Sequence, residues 1–383
     1  MIEFLDEDST FASFEGVYFM LVASFGIPAN LLSVVVLCGQ RCGMSRSTVT
    51  YLVSLAVVDT LFLLLGGLVA VSFRWVLPDE RRPLASTALC GVVNFSEGWT
   101  LCSSQWIVAA FTLERYLLFR GRCLRRPLLP RSRPRCRPSR PQVALLLVLV
   151  SVLGSQVLSL PFCWLNRAWP GGGEAESGPT FTLMKENRTQ ATLSSQCKAL
   201  SGPQDSAFLW LHAVLAGFLP MSLTLSFSVL VSHHFRRRAR ILAAPDNAAP
   251  IRSTGSRMQR SGQIQATVAL VTVLLSLPRY VIQGLGEGLG VGLSQHAVQW
   301  VGWDVAVGVA TMMQWISLVI HFLLYCFLSS GFRRETLTLL RCFYQSLRKP
   351  AILWRCCFPS RPPQTLPCQV WLVQDVLQER RTS

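Results

Sequence analysis

Asp59, Glu97, Arg279 and Asp304 stand inside long apolar stretches of this 383-residue chain, and Glu114-Arg115-Tyr116 closes one end of the stretch that holds Glu97. A charge at the centre of a membrane span costs about 2.5–3.5 kcal/mol on insertion scales, so such a residue has a partner or a function. Glu114 beside Arg115 is the pattern of a local ion pair, a latch whose opening needs compensation from elsewhere. The residue patterns of common catalytic centres are missing: there is no HExxH, P-loop or GxSxG. The alternating glycines from Gly284 to Gly292 fit no frame of GxGxxG and fall in a turn. The chemistry on offer is charge recognition, and the chain is not expected to be an enzyme.

The elements that hold these groups follow from composition. The chain is 51% hydrophobic and 15% charged, with a mean hydropathy of +0.39; soluble domains carry about a quarter charged residues. Seven apolar stretches lie between polar breaks, at roughly 17–38, 49–73, 91–113, 143–165, 207–232, 264–285 and 299–328. About 20 apolar residues cross a bilayer, and the backbone there must satisfy its own hydrogen bonds. All seven stretches are predicted to be helices, with Pro28, Pro161, Pro220 and Pro278 inside them. No internal repeat of the kind that builds many transporters is present. The first sixteen residues hold five acids and no Lys or Arg, the reverse of a signal-peptide n-region, so the first stretch is expected to stay as a span.

Orientation follows from the basic residues. With the amino terminus outside, the inner segments hold 28 Lys and Arg, and the outer segments hold 7 against 12 acids. The net charge of +16 is therefore an inner face that suits anionic lipid, and a docking surface for an acidic cytosolic partner is the sharper alternative. Residues 120–140 contain nine arginines and no acid. These arginines flank spans without interleaved aromatics, which argues against a nucleic-acid partner. The sequon at Asn187, in the outer stretch 166–206, is a predicted glycosylation site.

Taken in order, these features resemble the rhodopsin-like, class A family of G-protein-coupled receptors. Asn30 and Asp59 match the polar residues of its first and second helices, and Glu114-Arg115-Tyr116 matches its Asp/Glu-Arg-Tyr motif. Pro220 and Pro278 match its fifth- and sixth-helix prolines. His321-Phe-Leu-Leu-Tyr325 stands where the family has Asn-Pro-x-x-Tyr, ahead of a short amphipathic eighth helix. Departures are equally plain: Ser276 replaces the switch tryptophan, Ser228 the fifth-helix tyrosine and Phe322 the seventh-helix proline. The run around Phe322, with Pro278-Arg279 and Glu97, is similar to an orphan subgroup that responds to aromatic amino acids. No lysine occurs in the last span, so a retinal Schiff base is excluded.

The resemblance implies a site for each function. It implies a disulfide between Cys90 and Cys197, and coupling through Glu114, Arg115, Tyr116 and Tyr325. It implies a polar core of Asn30, Asp59, Ser104, Ser317 and His321, where Asp59, Ser104 and Ser317 resemble the family's sodium pocket. His321 replaces the usual Asn or Asp there, and a protonated histidine repels sodium; apart from that ion no cofactor or metal is expected. Glu97 precedes Arg115 by 18 residues, five helical turns, which puts it at the family's ligand cavity. With Arg279 it suits a zwitterion, Glu97 taking the amine and Arg279 the carboxylate. The alternative is that the two simply pair with each other. Trp99, Tyr280 and Trp315 are the aromatic candidates for the rest of the ligand. Cys342, Cys356 and Cys357, beside basic residues, are candidate palmitoylation sites.

The expected architecture is an all-α membrane protein: an external 1–16, a seven-helix bundle over 17–328, and an eighth helix with cytoplasmic tail over 329–383. Its expected place is the plasma membrane, amino terminus outside and carboxyl terminus in the cytoplasm. The expected partners are an extracellular small-molecule or peptide ligand, a heterotrimeric G protein, arrestin, receptor kinases and membrane lipids. Two alternatives stand beside this: a constitutive or degenerate orphan acting through partner receptors, and a seven-helix transporter. A transporter needs a continuous polar path, which the fourth and fifth stretches lack.

Overall fold

A computed structural model describes residues 2–39, 44–69, 86–123, 141–168, 197–199, 203–242, 252–288 and 301–348. Helix α1 spans Ile2–Cys38 and α2 spans Arg46–Phe62, continued by π-helical turns over Leu63–Val69. Next come α3, Ser86–Cys123, and α4, Pro141–Ser159. Helix α5 runs from Pro203–Ala213 through a π-helical turn, Val214–Phe218, into Leu219–Leu242. Helices α6, Arg252–Gly288, α7, Val301–Leu328, and α8, Ser330–Arg348, complete the order. The only strands among the described residues are an antiparallel ribbon, β1 Asn166–Ala168 and β2 Cys197–Ala199, with Ala168 opposite Cys197.

Among the described residues, six helices are long and apolar enough to cross a membrane: Phe14–Cys38, Arg46–Gly67, Pro141–Ser159, Ala207–His234, Gln265–Leu285 and Val305–Leu328. The expected third span, 91–113, is not among them, although it lies wholly within α3. The reason is its position. Helix α3 touches α2, α4, α5 and α6, while α1 packs on α2 and α7, and α6 on α5 and α7. A helix surrounded by protein can carry Thr100, Ser103, Ser104 and Gln105, all buried, at no cost in lipid contact. Helix α4 shows the opposite pattern. It exposes Leu146, Leu149, Val150, Leu153 and Val157 and buries Ala144, Ser155 and Ser159, as suits an apolar solvent outside and small residues at helix contacts.

One proline departs from the sequence expectation. Helix α4 stops at Ser159, Leu160 and Pro161 form a turn, and a helical turn Phe162–Leu165 follows, so the expected fourth helix is broken at Pro161, which is not inside it. The ring has no N–H to donate and clashes with the preceding turn, which ends the helix. Pro220 stays within α5, and the π-helical turn just before it takes up the missing hydrogen bond. At the other end of the chain, α1 is helical from Ile2, well ahead of the apolar run that begins at residue 17.

The core has three parts. The largest joins Tyr51, Leu55, Ile107, Phe111, Val268, Tyr325 and Phe332 near the Arg115 end of the bundle. A second packs Ala23, Phe62, Trp315 and Val319 where α1, α2 and α7 meet. A third sets Cys102, Ala216, Met221, Val273 and Tyr280 between α3, α5 and α6. Ser329 breaks the chain between α7 and α8, and its hydroxyl accepts the Phe332 amide at 3.2 Å as the N-cap of α8. Phe332 is thereby turned inward against Tyr325, ring centroids 5.7 Å apart, and Phe322, 6.0 Å.

Candidate functional site: a polar column through the helix bundle

At one end, α2 begins with Ser45-Arg-Ser-Thr48. Ser45 is its N-cap, in extended geometry (φ −71°, ψ 148°), and accepts the Thr48 amide. This first turn is where the Glu-Arg-Tyr residues of α3 are held. Ser47 Oγ lies 2.7 and 2.5 Å from the two carboxylate oxygens of Glu114. Arg115 Nη2 donates to Thr48 Oγ1 at 2.5 Å and to Ser45 Oγ at 3.3 Å. Its guanidinium lies 5.2 Å from the centroid of the Phe111 ring. Tyr116 faces the other way and stacks on Phe227 of α5 at 5.5 Å. Neighbouring residues of one motif thus tie α3 to α2 and to α5. The hydroxyls of Ser45, Ser47 and Thr48 were not foreseen from sequence; a serine N-cap ahead of an apolar helical run was the available signal.

In the middle, Asp59 of α2 is fully buried. Its Oδ1 accepts from Ser104 of α3 at 3.2 Å, and its Oδ2 lies 3.0 Å from His321 Nδ1 on α7. The second ring nitrogen of His321 lies 2.9 Å from Thr272 Oγ1 on α6. A second chain runs beside this one. Gln105 of α3 donates to Ser276 of α6 at 3.0 Å, and Ser276 meets Ser317 of α7 at 3.5 Å. Ser317 also contacts Gln314. Asn30 of α1 donates to the Leu318 carbonyl at 3.1 Å. Every member of both chains is buried, and together they link α1, α2, α3, α6 and α7.

This polar column contains the expected core residues Asn30, Asp59, Ser104, Ser317 and His321. It adds Gln105, Thr272 and Gln314, which sequence reasoning missed, and gives Ser276 two partners in place of the absent tryptophan ring. Below it, Tyr325 stacks near-parallel on His321, centroids 6.4 Å apart. The Tyr325 hydroxyl is buried without a hydrogen-bond partner among the described residues.

At the Glu97 end, Glu97 on α3 and Arg279 on α6 are both half-buried, and both lie within electrostatic reach of Tyr280. Among the described residues no ion pair joins them, so the simple-pairing alternative is not what the structure adopts. Tyr280 is buried with its ring against Gly217 of the π-helical turn, so close that a Cβ there would overlap ring carbons. Trp99 is half-buried and stacks on Phe95 at 6.1 Å, with its indole N–H buried and unpartnered. Trp315 faces elsewhere, in the cluster that also holds Leu101, one turn of α3 from Glu97. It lies 4.5 Å from Phe19 and 5.2 Å from Phe62, against Gly67, on the α1–α2 side.

Strand β2, which begins at Cys197, lies against α3, the helix that contains Cys90. The side chains of both cysteines, and that of Asp304, fall outside the described residues, as do Asn187, Cys356 and Cys357. Cys342, on α8, is disulfide-bonded and in this structure is not the free thiol that acylation needs.

The described residues form a helical bundle with a buried polar column, half-buried Glu97 and Arg279 towards one end and Arg115 held on the first turn of α2 at the other. The seven-transmembrane receptor model of the rhodopsin family matches residues 29–170, from α1 through the ribbon strand β1. The chain is also 21% identical over 318 residues to a protein of Mus musculus named Probable G-protein coupled receptor 142, covering 83% of this chain and 70% of the relative. Together with the bundle, these likenesses support a class A G-protein-coupled receptor. That is a receptor family, not a family of enzymes.

Proposed function

We propose that the chain sits in the plasma membrane with its amino terminus outside and passes an extracellular signal to a heterotrimeric G protein. One observation carries the ligand reading: Glu97 and Arg279 approach from two helices beside Tyr280, half-buried and without an ion pair between them. Opposite charges left apart in a partly dry cleft suit a ligand that brings both complements, an amine for Glu97 and a carboxylate for Arg279. The exposed edge of Trp99 and the Tyr280 ring are the neighbours for an aromatic side chain, which points to an aromatic amino acid or a small peptide. Trp315, on the far side of α7, is left out of direct contact.

The ligand acts by stabilising a bundle arrangement in which Arg115 leaves the first turn of α2 and the Arg115 end opens to the G protein. It can shift that equilibrium only by its difference in affinity for the two arrangements. The same basic face is the expected surface for arrestin and receptor kinases. A Cys90–Cys197 disulfide would fasten the ribbon to α3, a glycan would sit at Asn187, and acylation would fall on Cys356 and Cys357.

The test is a screen of cells expressing the chain for calcium, cAMP and arrestin responses to aromatic amino acids and peptides. Glu97→Gln and Arg279→Ala should each abolish a response to such a zwitterion at unchanged surface expression. Unaltered potency in both would remove the ligand reading, and substrate flux in proteoliposomes would replace the receptor reading with a transporter. A second reading, signalling without ligand, is favoured by Ser276, because hydrogen bonds stand where the family's relay has a ring. High basal exchange in the screen would select it.

A further inference from the structure

We propose that the His321 imidazole occupies the place of the family's interior sodium ion, so that this bundle carries its own bridge at Asp59 and is indifferent to sodium. A buried carboxylate needs compensation in a dry interior. In the resemblance drawn from sequence, that compensation is a sodium ion held by Asp59, Ser104 and Ser317. The structure gives each of those donors another engagement. Asp59 Oδ1 takes the Ser104 hydroxyl at 3.2 Å and Oδ2 faces His321 Nδ1 at 3.0 Å. Ser317 donates to the Gln314 carbonyl at 2.6 Å, accepts from Gln314 Nε2 at 3.2 Å and meets Ser276 at 3.5 Å.

A cation at Asp59 needs oxygen lone pairs that converge. An Asn or Asp in the His321 position would offer an oxygen; the imidazole offers the electropositive edge of an N–H, aimed at the carboxylate from hydrogen-bond distance. There is no room for an ion between partners 3.0 Å apart, and the ring cannot swing away cheaply. Thr272 holds its other nitrogen at 2.9 Å, and Tyr325 stacks along it at 6.4 Å. Asn30 donates its Nδ2 to the Leu318 carbonyl at 3.1 Å, which ties α1 to α7 beside this bridge.

The bridge also does what a bound ion does not. A sodium ion comes and goes with its concentration, whereas the ring is covalently part of α7. Asp59 on α2 and Thr272 on α6 are joined through one side chain, so the coupling of these helices is independent of salt.

The experiment uses the full chain purified in detergent and follows thermal unfolding in sodium chloride and in choline chloride at equal ionic strength. The wild type should unfold at the same temperature in both salts. His321→Asn should unfold about 2–4 °C higher in sodium than in choline, the shift expected when a ligand binds only the folded state. A sodium-stabilised wild type would overturn the proposal, and so would a His321→Asn variant that ignores sodium. Should that variant not fold, Thr272→Val decides: it unties only the α6 end, so it should lose stability equally in both salts, and a sodium-dependent gain there would overturn the proposal. The readout needs neither ligand nor G protein, so it stands or falls separately from the receptor reading.

Discussion

Loosening Arg115 from α2 should raise basal signalling. The perturbation is Thr48→Val, nearly isosteric and buried, which removes the hydroxyl that Arg115 Nη2 meets at 2.5 Å. Hydrogen bonds to charged groups contribute about 1.5–3 kcal/mol, and each 1.4 kcal/mol is roughly tenfold in an equilibrium. With a released form populated at about 1% in the wild type, a common value for a minor state, the variant should populate it at roughly 10–60%. The 3.3 Å contact to Ser45, an exposed residue, and the ring of Phe111 remain, so the lower part of that range is expected. The assay is ligand-free nucleotide exchange on a co-expressed G protein, normalised to surface receptor. Thr48→Ser serves as the control, because it keeps the hydroxyl. Basal exchange in Thr48→Val equal to wild type, at equal surface expression, would refute the latch, as would an equal rise in Thr48→Ser.

Other perturbations report on separate parts of the molecule. Ser47→Ala should leave the buried Glu114 carboxylate short of its hydroxyl donor and destabilise the chain by about 1–3 kcal/mol, read as an earlier thermal transition. Gly217→Ala should cost about 1–3 kcal/mol through overlap with the Tyr280 ring, and pairing it with Tyr280→Ala should return part of that loss. Gln105→Leu should leave the Ser276 hydroxyl without its amide donor and weaken the response to any agonist more than it weakens surface expression. Cys90→Ser and Cys197→Ser should lower surface expression equally, and the double variant should be no worse than either single one, the signature of a shared disulfide.

Charge was legible in the sequence by itself, and neutral polarity only where the family resemblance pointed to it, at Asn30, Ser104 and Ser317. Asp59, Glu97 and Arg279 stand out because a charge in an apolar run is an anomaly of one residue. Gln105 does not, since it is unremarkable alone and meets its partner Ser276 across 171 residues of sequence. Hydropathy likewise marked all seven apolar stretches, because it measures what lipid tolerates. The third stretch, 91–113, stood out too, although α3 carries polar residues that are covered by other helices and answer to hydrogen-bond partners.

The misplacement of Trp315 has a different cause, one that the sequence itself could have corrected. Its aromatic type made it a candidate beside Tyr280, but residue type says nothing about direction. Gln314, Ser317, His321 and Tyr325 follow one another at three- and four-residue steps and form one face of α7, the face that bears the polar column. Trp315 precedes Ser317 by two residues, about 200° around the axis, and shares its side with Leu318 and Val319, which pack with Phe62 and Ala23. A ring on that face stiffens the contact with α1 and α2 and leaves the cleft to residues on α3 and α6. Ligand specificity should therefore respond to changes at Trp99 and Tyr280. Trp315→Phe should lower the unfolding temperature and leave agonist selectivity as it is; a variant that reordered the selectivity series at unchanged stability would put Trp315 back in the cleft.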